Sequence, residues 1–189
     1  MMLPDPHQST GSPTSQSTAI HHQDGNRNWY AVSTLSKHEK SVARHLDLRE
    51  VEAFLPTYEA SRVWKNRQQV KLTLPLFPTY IFVRIGEGER LKTLGTPGTI
   101  SILGNGSGPL AIPESEIHFL QIGVRERKAE PYREPVIGER VQINSGVMKG
   151  FQGTLVRKNK QLRLVLEVQL LSQCAAVEVD AQDLISVVT

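Results

Sequence analysis

The order of apolar and polar positions divides the chain into an unpatterned head and two halves of different rhythm. Residues 1–27 are rich in Ser, Thr, Pro, Gln and His and carry almost no large apolar side chains. Such a segment cannot offset the entropy of ordering itself, so a disordered tail is expected. Patterning starts abruptly at Trp29-Tyr30-Ala31-Val32-Ser33, whose aromatic and β-branched content reads as a strand. Ser36 stands three residues before Glu39 in the spacing of a capping box, and Val42, Ala43 and Leu46 follow at helical intervals. A helix of about 14 residues is therefore predicted. Ala53-Phe54-Leu55-Pro56 is a second strand closed by its proline, and the loose alternation to Val70 suits an exposed hairpin or arm. Leu74-Pro75-Leu76-Phe77-Pro78 then leads stiffly into Tyr80-Ile81-Phe82-Val83, the most β-prone run in the chain and the expected central strand.

The stretch from Gly86 to Gly108 holds seven glycines and two short apolar pieces, Leu91 to Leu94 and Ile100 to Leu103, which predict a brief helix and a strand among turns. Ile117, Leu120 and Val124 mark one face of a last helix beginning near Pro113. Strand, helix, strands and helix in that order make an α+β domain over residues 28–124, with helices packed on an antiparallel sheet. Residues 125–135, RERKAEPYREP, have no apolar period and read as an extended solvated linker. Beyond them Arg140 to Ile143, Gly153 to Arg157, Leu162 to Gln169, Ala175 to Val179 and Leu184 to Val188 alternate as short strands. Their close spacing over residues 136–189 indicates a small five-stranded all-β barrel. The leucines of Arg163 to Val168 are also compatible with helix, so a switch of fold in this half stays open.

Composition narrows the chemistry. A net charge of +3 permits contact with nucleic acid without demanding it. The single cysteine, Cys174, excludes an intramolecular disulfide framework and a multi-cysteine zinc site. No long apolar run and no secretory signal stand out, and a soluble cytoplasmic monomer is expected. His21 and His22 read as solvated tail residues. Phosphate loop, nucleophile elbow, paired carboxylates and metal-ligand spacing are all missing, and Gly104-Asn105-Gly106-Ser107-Gly108 lacks the surrounding βαβ unit of a dinucleotide loop. Neither enzyme activity nor a cofactor or metal is expected.

Two stretches carry a resemblance. Trp29-Tyr30-Ala31-Val32, Lys37-His38-Glu39-Lys40, Phe54-Leu55-Pro56 and Pro75-Leu76-Phe77-Pro78-Thr79-Tyr80-Ile81-Phe82-Val83 together resemble the N-terminal (NGN) domain of NusG proteins, and within them the specialised paralogues of the RfaH, UpxY and LoaP groups. Ile137 to Val141, Gly146, Gly150 to Gly153 and Val177-Glu178-Val179-Asp180 resemble a KOW domain, whose glycines would supply positive φ and close strand approach.

The resemblance implies a transcription elongation or antitermination factor that lays an apolar patch on the clamp helices of the largest RNA polymerase subunit. Tyr80 and Phe82, at i and i+2, share one face of a strand and match that patch, with Phe77 shaping the approach. The alternative is that these aromatics fill the domain core. A second contact, with the gate loop of the other large subunit, is implied for Arg90-Leu91-Lys92-Thr93, where Thr93 gives a partial match. Arg62, Lys65, Arg67 and Lys71 form an acid-free basic run around Trp64, suited to phosphates and a stacked base, or simply to a solvated hairpin tip. His45 matches a histidine that contacts non-template DNA in RfaH. In the KOW half, the loop that recruits the termination factor Rho or a small-subunit ribosomal protein becomes Leu170-Leu171-Ser172-Gln173, with Leu170, Leu171 and Gln173 as contacts and the two leucines as exposed patch or core. The alternative function is a KOW-type RNA-binding or ribosome-associated module.

Overall fold

The computed structural model describes residues 27–64, 67–126, 128–132, 138–158, 161–168, 171 and 173–186. The expected tail up to residue 26, Lys65, Leu170 and residues 133–137 lie outside the described residues. In chain order the elements are β1 (Asn28–Thr34), α1 (Glu39–Asp47), β2 (Glu52–Phe54), β3 (Thr57–Val63), β4 (Gln69–Pro75), β5 (Tyr80–Ile85), α2 (Arg90–Leu94) and β6 (Thr99–Ile102). There follow the two-residue strands β7 (Gly104–Asn105), β8 (Gly108–Pro109) and β9 (Ala111–Ile112), then α3 (Glu114–Arg125). After α3 the described residues form the strands β10 (Ala129–Tyr132), β11 (Glu139–Ile143), β12 (Gln152–Lys158), β13 (Gln161–Val168), β14 (Gln173–Glu178) and β15 (Leu184–Ser186), with a 3-10 turn at Ala181–Asp183 before the last.

The first sheet runs in the order β2-β5-β1-β6, with β9 also paired to β1, and every pairing is antiparallel. Ala31 lies opposite Phe82 and Val32 opposite Ile81, so alternate side chains of the two central strands go to opposite faces. Val32, Ile81, Val83 and Ile85 pack with Val42 and Leu46 of α1. Trp29, Ala31 and Phe82 join Ile117 and Leu120 of α3. With both faces covered, β5 needs apolar side chains at consecutive positions, which is why Tyr80 to Val83 reads as a continuous apolar run. Between β2 and β5, β3 and β4 form a separate two-stranded arm, as the loose alternation predicts.

Helix α1 is shorter than its pattern suggests, because the chain does not enter it through Ser36. Lys37 takes φ +65°, His38 occupies the N-cap without a side-chain cap, and Glu39 does not reach back to close the capping box. The Glu39 carboxylate instead accepts the Thr79 N–H at 2.7 Å, a residue 40 positions away.

The five strands expected of the barrel are all present, in the order β14-β13-β12-β11-β15. Gly146 and Gly150 turn the chain with φ of +75° and +93°. A Cβ on Gly153 would stand 2.6 Å from the Val165 carbonyl oxygen. The expected linker needs correcting. Its middle, β10, pairs with β14, setting Ala129 opposite Val177 and Tyr132 opposite Cys174, and both end residues are buried. Charge and proline suggest solvent, yet an edge strand needs only a few inward side chains, and Pro131 is tolerated where one side of the strand is unpaired. Largely buried Arg163 on β13 lies 3.5 Å from Glu130 of β10 and 3.7 Å from Glu178 of β14, fastening the added strand to the sheet.

The two halves share one core. Besides Ile117 and Leu120, α3 buries Phe119, Ile122 and Gly123, so it is apolar on more than the one face that a three-residue pattern marks. Phe119 meets Phe151 of the barrel edge to face, ring centres 5.1 Å apart. A Cβ on Gly123 would lie 2.9 Å from Val177 Cγ2. Gly123→Val should therefore overpack this seam and lower stability by about 1–3 kcal/mol. Denaturant unfolding, followed by far-ultraviolet circular dichroism, would measure the change.

Candidate functional site

The aromatic lead-in to β5 is built from inside. Phe77 is buried and meets Phe82 edge to face at 5.7 Å, while Phe54 of β2 stacks on Phe82 at 6.3 Å. Phe82 is 0% exposed. The expected shared face of Tyr80 and Phe82 exists, since both belong to the cluster under α3, but only Tyr80 retains solvent exposure. Phe82 is a core residue because a central strand between two helical layers has no open face, and Phe77, in the turn before the strand, is buried against its ring.

Thr93 is likewise enclosed. It is 0% exposed, and its hydroxyl donates to the Glu89 carbonyl at 2.9 Å. The surface of α2 is presented instead by Arg90, Lys92 and Leu91, the last 82% exposed.

Strand alternation splits the basic run of the arm. Arg62 pairs with Val70 and lies on the face shared with Tyr58, Ala60, Leu72 and Leu74. Lys71 pairs with Ser61 on the other face, beside Glu59 and Thr73. At the tip Trp64 is 58% exposed and Arg67 turns the chain with φ +62°. Lys40 of α1 donates to the Thr73 carbonyl at 2.8 Å, tying the helix to the base of the arm. Lys40 and Arg44, four residues apart and both exposed, thus add cations on the arm's side of the domain. The sequence pattern contains both residues, but only the Lys40 contact connects them to the arm. His45 is half-buried, and its Nδ1 is enclosed without a hydrogen-bond partner among the described residues. In the barrel Leu171 is a core residue, and half-buried Gln173 opens β14 opposite Val168.

A cleft of about 400 Å³ lies where α3 meets the barrel, lined by Ser115, Glu116, Arg140, Phe151 and Glu167 among others. Burial pushes the Glu116 carboxyl above its ordinary range. Burial, and secondarily the Glu167 charge, raises the Cys174 thiol. Among the described residues no cluster of His, Cys, Asp and Glu could hold a metal ion, and no helix is long and apolar enough to cross a membrane.

A family model described as "Transcription termination factor nusG" matches residues 27–121, from the first strand into α3. A curated protein of Staphylococcus epidermidis, named transcription termination/antitermination protein NusG, is 30% identical over 139 residues, spanning 65% of this chain and 74% of that protein. The chain belongs to the NusG family. Its members are transcription termination/antitermination factors and not enzymes. The NusG of Rickettsia bellii is 24% identical over 164 residues, covering 80% of this chain and 86% of the relative. In fold, the chain is similar to a solved structure described as "Domain interaction in Thermotoga maritima NusG", with a TM-score of 0.55 at 17% identity, spanning 86% of this chain and 98% of that one. The NGN-like α+β domain with antiparallel sheet and the β-rich C-terminal part agree with that fold.

The raised Glu116 carboxyl has a sign that stability can report. A group whose folded-state pKa lies above its unfolded value costs nothing where it is protonated in both states, and weakens the fold once pH rises through the folded value. Glu116→Gln should therefore raise the thermal midpoint at neutral pH and change it little below the ordinary carboxylate range. Melting curves across pH would test this.

Proposed function

We propose that this NusG-family chain is a processive elongation or antitermination factor that binds the clamp helices of RNA polymerase and holds the clamp closed, acting as a specialised, operon-directed paralogue. The observation that carries the reading is the aromatic lead-in to β5. Phe77 and Phe82 meet edge to face within the cluster that Tyr80 packs against, so the partly exposed Tyr80 ring is backed by packed core at the position that resembles the polymerase-binding patch of the family. A rigid aromatic anchor loses little entropy when a helix pair docks on it. Exposed Leu91 on α2, rather than enclosed Thr93, offers apolar surface for a second contact with the gate loop across the cleft. The specialised assignment draws on the barrel, where Leu171 is buried and the recruiting loop of the family becomes Leu170-Leu171-Ser172-Gln173. Recruitment of Rho or a small-subunit ribosomal protein would then rest on Gln173 and its surroundings.

The arm supports an added contact with non-template DNA. Trp64 is exposed at the tip with Arg67 beside it, Arg62 and Lys71 stand on the two faces behind, and Lys40 and Arg44 continue the positive charge onto α1. An indole stacks on any base, and the surrounding cations track phosphates. The alternative, an RNA-binding or ribosome-associated module, would use the same arm in the absence of polymerase.

Tyr80→Ala should abolish copurification with RNA polymerase while the circular dichroism spectrum persists. Unchanged copurification would remove the basis of the clamp reading. For the arm, replacing Arg67 and Lys71 together by Gln should make the log–log salt dependence of single-stranded DNA binding shallower by about 1.4, at about 0.7 per lost phosphate contact. Gel shifts in rising salt, with single-stranded RNA alongside and with and without polymerase, separate the two readings.

A further inference from the structure

Three turns meet at one end of the first sheet, and a single buried carboxylate joins two of them. Thr79, which precedes β5, takes φ +68°. For a β-branched residue this left-handed conformation is disfavoured about tenfold or more in population. Its peptide groups are held on both sides: the Thr79 carbonyl accepts the Thr34 N–H at 2.8 Å, and the Thr79 N–H donates to Glu39 Oε1 at 2.7 Å. Glu39 is 5% exposed and is the only carboxylate in the buried set among the described residues. The third turn closes over the same place, where the Leu35 N–H donates to the Gly98 carbonyl and Gly98 packs against His38 and Val42. The held turn is the one that carries the aromatics. The Tyr80 N–H donates to the Phe77 carbonyl at 3.2 Å, so the Thr79 conformation sets how the Tyr80 ring stands relative to the Phe77–Phe82 base.

We infer that Glu39 is a positioning residue for the polymerase contact, holding Thr79 in its left-handed conformation so that Tyr80 is presented in one orientation. The inference rests on the clamp-binding reading above. A capping role, which its spacing from Ser36 suggests, is not what the carboxylate does, since no side-chain cap forms at α1 and the charge reaches across to the β4–β5 turn. Once the carboxylate is removed, Thr79 relaxes toward an ordinary conformation. The competent fraction then falls, and apparent affinity falls with it.

Quantitative binding of the full chain to core RNA polymerase tests this, with native-state hydrogen exchange of the Thr79 amide as a readout that does not involve polymerase. Glu39→Ala should weaken binding about tenfold and speed Thr79 exchange, beyond any loss accounted for by the unfolded fraction. Thr79→Gly added to Glu39→Ala should restore most of the affinity, because glycine adopts the left-handed region without steric cost. Glu39→Gln, which keeps an acceptor oxygen, should fall between wild type and Glu39→Ala and serves if the alanine variant folds poorly. Undiminished affinity in a folded Glu39→Ala protein, or failure of Thr79→Gly to restore it, overturns the positioning role. Tyr80→Ala is the control for the underlying reading: if it binds like wild type, clamp binding through Tyr80 fails and this role fails with it, whereas a defective Tyr80→Ala beside an unaffected Glu39→Ala sinks the positioning role alone.

Discussion

Burial of β5 on both faces is the constraint from which the rest of the domain follows. A central antiparallel strand covered by α1 on one side and α3 on the other takes apolar side chains at consecutive positions, as Tyr80 to Val83 does, and its one charged residue, Arg84, is paired with Glu114. The strand therefore has no free face to give to a partner. What remains available is its beginning, where Tyr80 emerges from between the layers, and the turn that delivers it. Solvent reaches this region only at an edge of the core, and the core becomes the scaffold that fixes that edge.

Helix α3 extends the same constraint to the second half of the chain. Its Ile117 and Leu120 complete the layer over β1 and β5, while Phe119 and Gly123 meet Phe151 and Val177 of the barrel. The barrel and the NGN-like domain are thus continuous in packing, although their sheets are separate in hydrogen bonding. The β10 strand contributes to this continuity by pairing with β14 directly after the helix ends. The β3–β4 arm forms a two-stranded sheet of its own, with Tyr58 packed against the core and the exposed indole of Trp64 at its tip. Apolar packing and exposed cationic surface are in this way placed in different parts of one chain.

The node at Thr79 shows how charge is used inside such a structure. A buried carboxylate is costly unless hydrogen-bonded, and a left-handed threonine is costly unless held. Glu39 and Thr79 offset each other's cost through one bond across 40 residues of sequence.

Most elements were legible in the sequence because their signals are local. Aromatic and β-branched runs marked β1 and β5, alternation marked the barrel strands, helical spacing marked α1 and α3, and glycines marked the barrel turns, since each depends on neighbours a few residues away. The resemblance carried by the Pro75 to Val83 stretch pointed to the family for the same reason. Where reading failed, the deciding interaction was distant. Ser36 and Glu39 have capping spacing, but Glu39 found Thr79; residues 125–135 look solvated, but β14 had an edge to fill; the basic residues of the arm form one run in sequence but two faces in space. The exposure of Tyr80 beside the burial of Phe82, two residues on, belongs to the same class. Local pattern determined which segments become strand or helix and which face of each is apolar, whereas only the tertiary structure decided what covers each face, because burial depends on which remote segment the chain brings against it.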